Sequence, residues 1–244
     1  REEPIVQELA TEYLTEQGIT ILNNVTLESV SNDGGKPVIT ANNQNYTFDA
    51  VLYATGRKAN TAKIGLEHTD IATNERGAIV VNDTCESSVP GVYAVGDVNG
   101  GPQFTYISLD DFRIVFGALT GNSQYTLKDR KNIPYTTFLT PPLSRVGLTE
   151  EDAINQGYTV KTKEMLVATM PRAHVNDYLK GAFKIVVDAD NDLILGATLY
   201  SQGAEELINL IKMAMDNNIP YTYFKNQIFT HPTMAENLND LCNF

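Results

Sequence analysis

Apolar residues recur at helical spacing where the chain begins. Ile5, Leu9 and Tyr13 form one stripe, widened by Val6, Ala10 and Leu14. Gly18 is placed to end that helix. The apolar runs then shorten. Ile19–Leu22 and Val25–Val30 read as strands, and Asp33-Gly34-Gly35 is a turn signal. Val38-Ile39-Thr40 and Tyr46-Thr47-Phe48 flank the Asn-rich Asn42-Asn43-Gln44-Asn45, which predicts a hairpin. Ala50–Ala54 is continuously apolar, as expected of a strand buried on both faces. Ala78–Val81 and Val92–Val95 read as two more strands, the second ending at Gly96-Asp97. A helix is predicted over Thr105–Leu119, with Ile107, Ile114, Val115, Ala118 and Leu119 on its buried side. This first part is α/β with a small β meander.

Thr126–Asn132 is polar and charged, and reads as a linker. Beyond it Tyr135–Leu139 is strand-like until Pro141-Pro142. Thr149-Glu150-Glu151-Asp152 resembles a helix start with an acidic first turn, and Gly157 ends that helix. Strand character follows at Tyr158–Val160 and Met165–Ala168. Ala182–Val187 and Leu193–Tyr200 make an antiparallel hairpin around Asp188–Asp192. A strong helix then places Leu207, Leu210, Ile211, Ala214 and Met215 on one face, with Ile219-Pro220 after it. Three or four antiparallel strands with helices on one face make an α+β layer.

Composition adds a few exclusions. The chain has 244 residues, enough for two compact units, and 42% hydrophobic and 20% charged residues, as in ordinary globular proteins. A net charge of -12 argues against non-specific nucleic-acid binding, which needs a basic face. No run approaches a membrane span and no apolar signal peptide opens the chain, so a cytoplasmic location is expected. The two cysteines, Cys85 and Cys242, fit neither a metal pattern nor CxxC, and read as idle buried thiols with no metal site. The chain opens Arg1-Glu2-Glu3-Pro4 without a methionine and runs at once into an amphipathic segment. A C-terminal piece of a larger protein is the expectation.

Candidate chemistry sits at three places. In Thr230-His231-Pro232-Thr233-Met234-Ala235-Glu236, Pro232 suits a first helical turn. His231 would then stand at the helix mouth and Glu236 about one turn inside, close enough to fix the imidazole tautomer and raise its basicity for acid/base work. A surface histidine beside an acidic helix is the plain alternative. Gly56-Arg57 ends one apolar run: the glycine permits close approach and the arginine could serve a phosphate or a carboxylate, unless it is an ordinary turn. Gly96-Asp97 ends another, where ligands of open α/β sheets bind. After a Gly-rich loop, Asn99-Gly100-Gly101-Pro102, the following helix could point its N-terminus at the same ligand.

Four stretches in order resemble the flavin-dependent pyridine nucleotide-disulfide oxidoreductases, the family of glutathione reductase, dihydrolipoamide dehydrogenase and mercuric reductase. They are Ala54-Thr55-Gly56-Arg57, Val92–Asp97, Pro141–Thr149 and His231-Pro232-Thr233…Glu236. The wording of Gly96–Asp111 and Ile228–Pro232 is similar to the bacterial reactive-chlorine-resistance flavoproteins, proposed to reduce oxidants such as hypothiocyanous acid. The resemblance implies α/β remnants of nucleotide-binding domains followed by an α+β interface domain. Residues 1–46 would be the tail of the NAD(P)-binding domain, 47–126 the C-terminal part of the FAD-binding domain, and 127–244 the dimerisation domain. It implies FAD and NAD(P)H as cofactors, with Gly56, Arg57, Gly96, Asp97, Gln103, Phe104 and Thr105 toward the flavin. His231 and Glu236 would be the acid/base pair, lent to the other subunit of a homodimer. Cover for the Leu207–Met215 helix and for Ile228-Phe229 is expected from that second copy. The family's CxxxxC pair and GxGxxG fingerprints are missing, and Cys242 stands alone where mercuric reductases have a vicinal pair. A separately folded dimerisation module without catalysis is the alternative reading.

Overall fold

The computed structural model describes residues 2–122 and 124–244. In chain order, helix α1 (Pro4–Glu16) precedes strands β1 (Leu27–Asp33), β2 (Lys36–Ala41) and β3 (Gln44–Thr47), and then α2 (Thr105–Leu119). Strands β4 (Tyr135–Thr137) and β5 (Leu143–Gly147) follow, with α3 (Glu150–Asn155), β6 (Val160–Leu166) and α4 (Pro171–Val175) after them. The chain ends with β7 (Ala182–Asp188), β8 (Ile194–Tyr200), α5 (Ala204–Asp216), α6 (Tyr221–Asn226) and α7 (Asn237–Leu241). Two compact units result. One joins the residues up to Ile21 with Lys131–Phe244; the other is Leu22–Arg130.

The first unit is built on a five-stranded antiparallel sheet in the order β4-β5-β8-β7-β6, where the sequence pattern predicts three or four strands. Alternation divides its faces. Val146, Phe183, Ile185, Val187, Ala197 and Leu199 meet α5, α6 and α7 in the main core, with Leu207, Ile208, Ile211, Phe224, Leu238 and Leu241 buried there. The apolar side of α5 is therefore covered by its own sheet. A second copy is not needed for that purpose, contrary to expectation. Phe229 packs on the same core, whereas Ile228 is 95% exposed. Leu143 and Tyr200 lie on the other face and pack against Val6 and Tyr13 of α1. The backbone at Gly181 shows how tightly these strands meet: φ is +120°, and a Cβ there would stand 1.8 Å from the Tyr200 carbonyl oxygen.

Polar contacts tie the start of α1 to that second face. Lys184, 6% exposed, reaches Glu3 at 3.0 Å, Glu150 at 2.6 Å and Glu164 at 3.0 Å. Glu3 is itself buried and accepts the Glu150 N–H at 2.8 Å. The start of α3 is as the sequence predicts: Thr149 and Asp152 form a reciprocal capping box. Hydrogen bonds from the Thr149 side chain and N–H hold the Asp152 carboxyl below its usual pKa. Gly18 and Gly157 end α1 and α3 at φ +84° and +88°. In both, the next N–H reaches back to close a Schellman motif, Ile19 to Leu14 and Tyr158 to Ala153.

The second unit departs further from expectation. The meander β1-β2-β3 and α2 form as predicted. Ile19–Leu22, whose first three residues still belong to the first unit, is not a strand, and its apolar side chains are exposed. Ala50–Ala54, expected to be buried on both faces, is also no strand, with Leu52 90% and Tyr53 79% exposed. Strand geometry needs a neighbour to take its N–H and C=O groups, and this run has no ladder partner among the described residues. Ala78–Val81 and Val92–Val95 make only isolated bridges, Thr73 with Ile79, Val81 with Ser87 and Glu86 with Tyr93. Helix α2 buries Ile107 and Ile114 as predicted; Leu119 is exposed, and its place on the buried stripe is taken by Asp111.

Candidate active site

Thr230–Glu236 is a turn, not the start of a helix. The His231–Pro232 peptide is cis, and the helix beyond begins only at Asn237, with Glu236 as its N-cap. The predicted helix mouth is thus displaced. The expected pairing still forms, because the turn brings Glu236 back against the ring. His231 Nδ1 lies 2.7 Å from Glu236 Oε2. Glu236 Oε1 accepts the Thr233 N–H at 3.0 Å, and the Thr233 hydroxyl accepts the Glu236 N–H at 3.2 Å. The Thr233 hydroxyl donates to the Thr230 carbonyl at 2.7 Å, and Asn237 donates to the Thr233 and Met234 carbonyls. Burial alone would raise the Glu236 carboxyl; hydrogen bonds from His231 and the Thr233 N–H outweigh it and hold the group below its ordinary 4.5. An ionised carboxylate only accepts, so the shared proton belongs to Nδ1. Nε2 is then the acceptor of the neutral ring, on a side chain that is 69% exposed while Glu236 is 19% exposed. The arrangement can take or give one proton at one defined nitrogen.

In the Leu22–Arg130 unit, Gly96–Asn99 forms a single 3-10 turn, followed by Gly100 in the left-handed region and then by α2. Gly96 has φ +72°, and a Cβ there would meet the Ser108 hydroxyl at 2.6 Å, so only glycine fits. Arg57, Val95, Gly96, Asp97, Gln103, Phe104, Thr105 and Ser108 line a cavity of 570 Å³. Arg57 Nη1 is 3.3 Å from Asp97 Oδ2 and 3.5 Å from the Gln103 carbonyl. An adjoining cavity of 630 Å³ shares Arg57, Asp97 and Gln103, and adds Lys58 and Arg76. Of the predicted cofactor residues, six line the first cavity and Gly56, at φ +114°, lines neither. Three cations against one carboxylate give this end of the groove an appetite for anionic oxygens.

Several supporting residues escaped the sequence reading. Thr233 was readable, since Thr-x-x-Glu is a capping pattern. Asp111 carried a signal too: a carboxylate on the apolar stripe between Ile107 and Ile114 needs buried partners. It is 0% exposed; Oδ2 accepts the Gly96 N–H at 2.7 Å and Asn99 Nδ2 at 2.9 Å, and Oδ1 pairs with Arg130. Arg130, Lys58 and Arg76 gave no such signal.

Residues 1–111 match the family described as pyridine nucleotide-disulphide oxidoreductase, and residues 133–242 match the dimerisation domain of the same family. The chain belongs to the pyridine nucleotide-disulphide oxidoreductases. It is 44% identical over 237 residues to the probable pyridine nucleotide-disulfide oxidoreductase RclA of Escherichia coli (strain K12), covering 97% of this chain and 54% of that protein. It is 34% identical over 240 residues to the mercuric reductase of Staphylococcus aureus, covering 97% of this chain and 44% of the reductase. The solved structure of the HOCl-induced flavoprotein disulfide reductase RclA from Escherichia coli superposes with a TM-score of 0.94 at 42% identity, over 99% of this chain and 56% of that one. The chain thus spans about half the length of the oxidoreductases it matches. The fold is that of the family: nucleotide-binding remnants followed by an antiparallel dimerisation domain. Among the described residues no helix is long and apolar enough to cross a membrane, and no group of His, Cys, Asp and Glu could hold a metal ion.

Proposed function

We propose that this chain is the C-terminal part of an FAD-dependent NAD(P)H:disulfide or reactive-oxidant oxidoreductase, in which it supplies flavin contacts and an acid/base pair. The observation that carries this reading is the His231–Glu236 hydrogen bond of 2.7 Å on a ring that is otherwise 69% exposed. One nitrogen is fixed by a carboxylate and the other is left for a reacting partner.

FAD, when bound, supplies two-electron transfer between the nicotinamide and a disulfide. The cavity residues fit it. Gly96 lets backbone come close, Asp97 can accept from the hydroxyls of a ribityl chain, and Arg57 with Lys58 and Arg76 can meet phosphate oxygens. Gln103, Phe104 and Thr105 stand at the start of α2, where the helix dipole favours negative charge on a flavin ring. Residues 1–46 are assigned to the NAD(P)-binding domain, 47–126 to the FAD-binding domain and 127–244 to the interface. Exposed Leu52 and Tyr53 then find strand neighbours in the rest of the protein.

His231 Nε2 takes the proton of a thiol as it becomes the attacking thiolate, and gives it to the thiolate that leaves the substrate as the disulfide re-forms. Glu236 keeps the proton on Nδ1 throughout. The protein is a homodimer through its C-terminal domain, and His231 serves the cysteine pair of the other subunit. Two unpaired, buried thiols, Cys85 and Cys242, suit the reducing cytoplasm.

Stopped-flow kinetics of His231→Ala in the whole protein test the reading. Flavin reduction by NAD(P)H should continue and reoxidation by a disulfide or chlorine-derived oxidant should slow by about 10²-fold or more. Equal loss in both half-reactions would overturn the acid/base role. A wild-type protein that binds no flavin would overturn the whole proposal.

A further inference from the structure

We infer that Asp111, held by Arg130, is the positioning residue that sets the cofactor turn Gly96–Asn99 and so fixes how Asp97 faces the cavity. This rests on the FAD reading above and goes beyond it, because neither residue lines the cavity.

The turn is a single 3-10 turn with no β ladder. Beyond its own turn bonds, backbone ties it at the Gly100 N–H to the Asp97 carbonyl, 3.3 Å, and at the Ile79 N–H to the Val98 carbonyl, 2.9 Å, neither of which holds Gly96. Gly96 is in the left-handed region and takes no side-chain packing of its own. Its N–H is buried and needs an acceptor. That acceptor is Asp111 Oδ2 at 2.7 Å, projected from the second turn of α2. The same oxygen accepts Asn99 Nδ2 at 2.9 Å, so one atom grips the first and last residues of the turn, with Asp97 between them. Asn99 also donates to the Ala94 carbonyl at 3.3 Å and accepts the Gly101 N–H at 3.0 Å, which extends the grip to both flanks.

A fully buried carboxylate would be costly without a cation. Arg130 supplies it, and its other arm binds Asp110 Oδ2 at 2.7 Å from the adjacent position on α2. The guanidinium is itself only 10% exposed. Two neighbouring carboxylates on one helix thus pin one arginine fork, and the arginine fixes the Asp111 rotamer. The chain order is Gly96 and Asn99 first, Asp111 next, Arg130 last. Three separate segments converge on the residue preceding Asp97. Asp111 touches neither cavity; it acts through the turn.

The test is a thermodynamic cycle of FAD affinity in the whole protein stripped of flavin, read by quenching of flavin fluorescence well below the unfolding temperature. Asp111→Asn is expected to weaken FAD at least tenfold and to alter the visible flavin spectrum on reconstitution. Asp97→Asn alone should weaken it comparably. The double variant should be little weaker than either single one, because Asp111 acts through Asp97. Asn99→Ala, a partly exposed position, should reproduce a smaller part of the loss and guards against an unfolded Asp111→Asn. Arg130→Lys keeps the charge without the fork, and should leave the protein folded with weakened affinity.

Fully additive losses in the cycle, or unchanged affinity in both Asp111→Asn and Asn99→Ala despite a lowered melting temperature, would overturn the positioning role and leave the FAD reading intact. Absence of flavin binding by the unmodified protein would instead sink the FAD reading.

Discussion

Replacing Glu236 by Gln isolates what the carboxylate does to His231. The change is nearly isosteric. The amide oxygen can still accept the Thr233 N–H, which now sits 3.0 Å from Oε1. The other end changes sign: Oε2 accepts from Nδ1 at 2.7 Å, whereas an amide nitrogen can only donate there. The ring must either break the bond or move its proton to Nε2. A hydrogen bond to a charged group contributes about 1.5–3 kcal/mol. Water competes for a ring that is 69% exposed, so about 1 kcal/mol is expected here. That corresponds to roughly 2–4 °C in melting temperature for a chain of this size.

The pH dependence has a definite sign. The folded pKa of Glu236 lies below its ordinary 4.5, so its contribution is present above that value and is lost as pH falls through the folded pKa. Urea midpoints of the wild type and Glu236→Gln should therefore differ at neutral pH and converge in acid, once the native carboxyl is protonated. Nitrogen-15 shifts of the ring should report Nδ1–H in the wild type and Nε2–H in the variant. A stability gap that persists undiminished in acid, or an unchanged tautomer, would refute this account of the pair.

Lys184→Met should cost about 3–5 kcal/mol in urea unfolding, since it leaves Glu3, 3% exposed, facing Glu150 and Glu164 without a cation; adding Glu3→Gln should recover part of it. Gly181→Ala drives a Cβ to 1.8 Å from the Tyr200 carbonyl and should cost more than about 3 kcal/mol, while Gly157→Ala, with open space around it at φ +88°, should cost about 1 kcal/mol. Burial pushes the Cys242 thiol up to about 12 and the Cys85 thiol up to about 11, so both should resist a thiol reagent at about pH 8 until denaturant is added.

Local chemistry was legible in the sequence and partnership was not. Thr149 with Asp152, Gly18 and Gly157 announce helix ends by rules that act within a few residues, and the structure obeys them. Helix α5 ends by the same Schellman geometry, but with Asn218 at φ +51° in glycine's place, which no sequence signal flagged. The apolar run at Ala50–Ala54 states a demand for neighbours without saying which strands meet it. The pairing of β5 with β8 joins segments distant in sequence, which periodicity cannot order. His231 and Glu236 were readable as a pair. The cis peptide that turns the chain between them was not.

Both candidate sites share one physical device, which explains why their residues were easier to name than to place. Each lies on a loop with no ladder, just before a helix, where backbone N–H groups lack regular partners. In each, a single carboxylate collects the donors. Glu236 takes His231 Nδ1 and the Thr233 N–H; Asp111 takes the Gly96 N–H, Asn99 and Arg130. Apolar packing is non-directional and tolerates small rotations of such a loop. Hydrogen bonds to an ionised oxygen are short and directional, and an unpaired one is costly, so a carboxylate with several donors admits one arrangement of the backbone around it. The exposed groups, His231 and Asp97, thereby take their orientation from a more buried acid further along the chain, Glu236 in one case and Asp111 of α2 in the other.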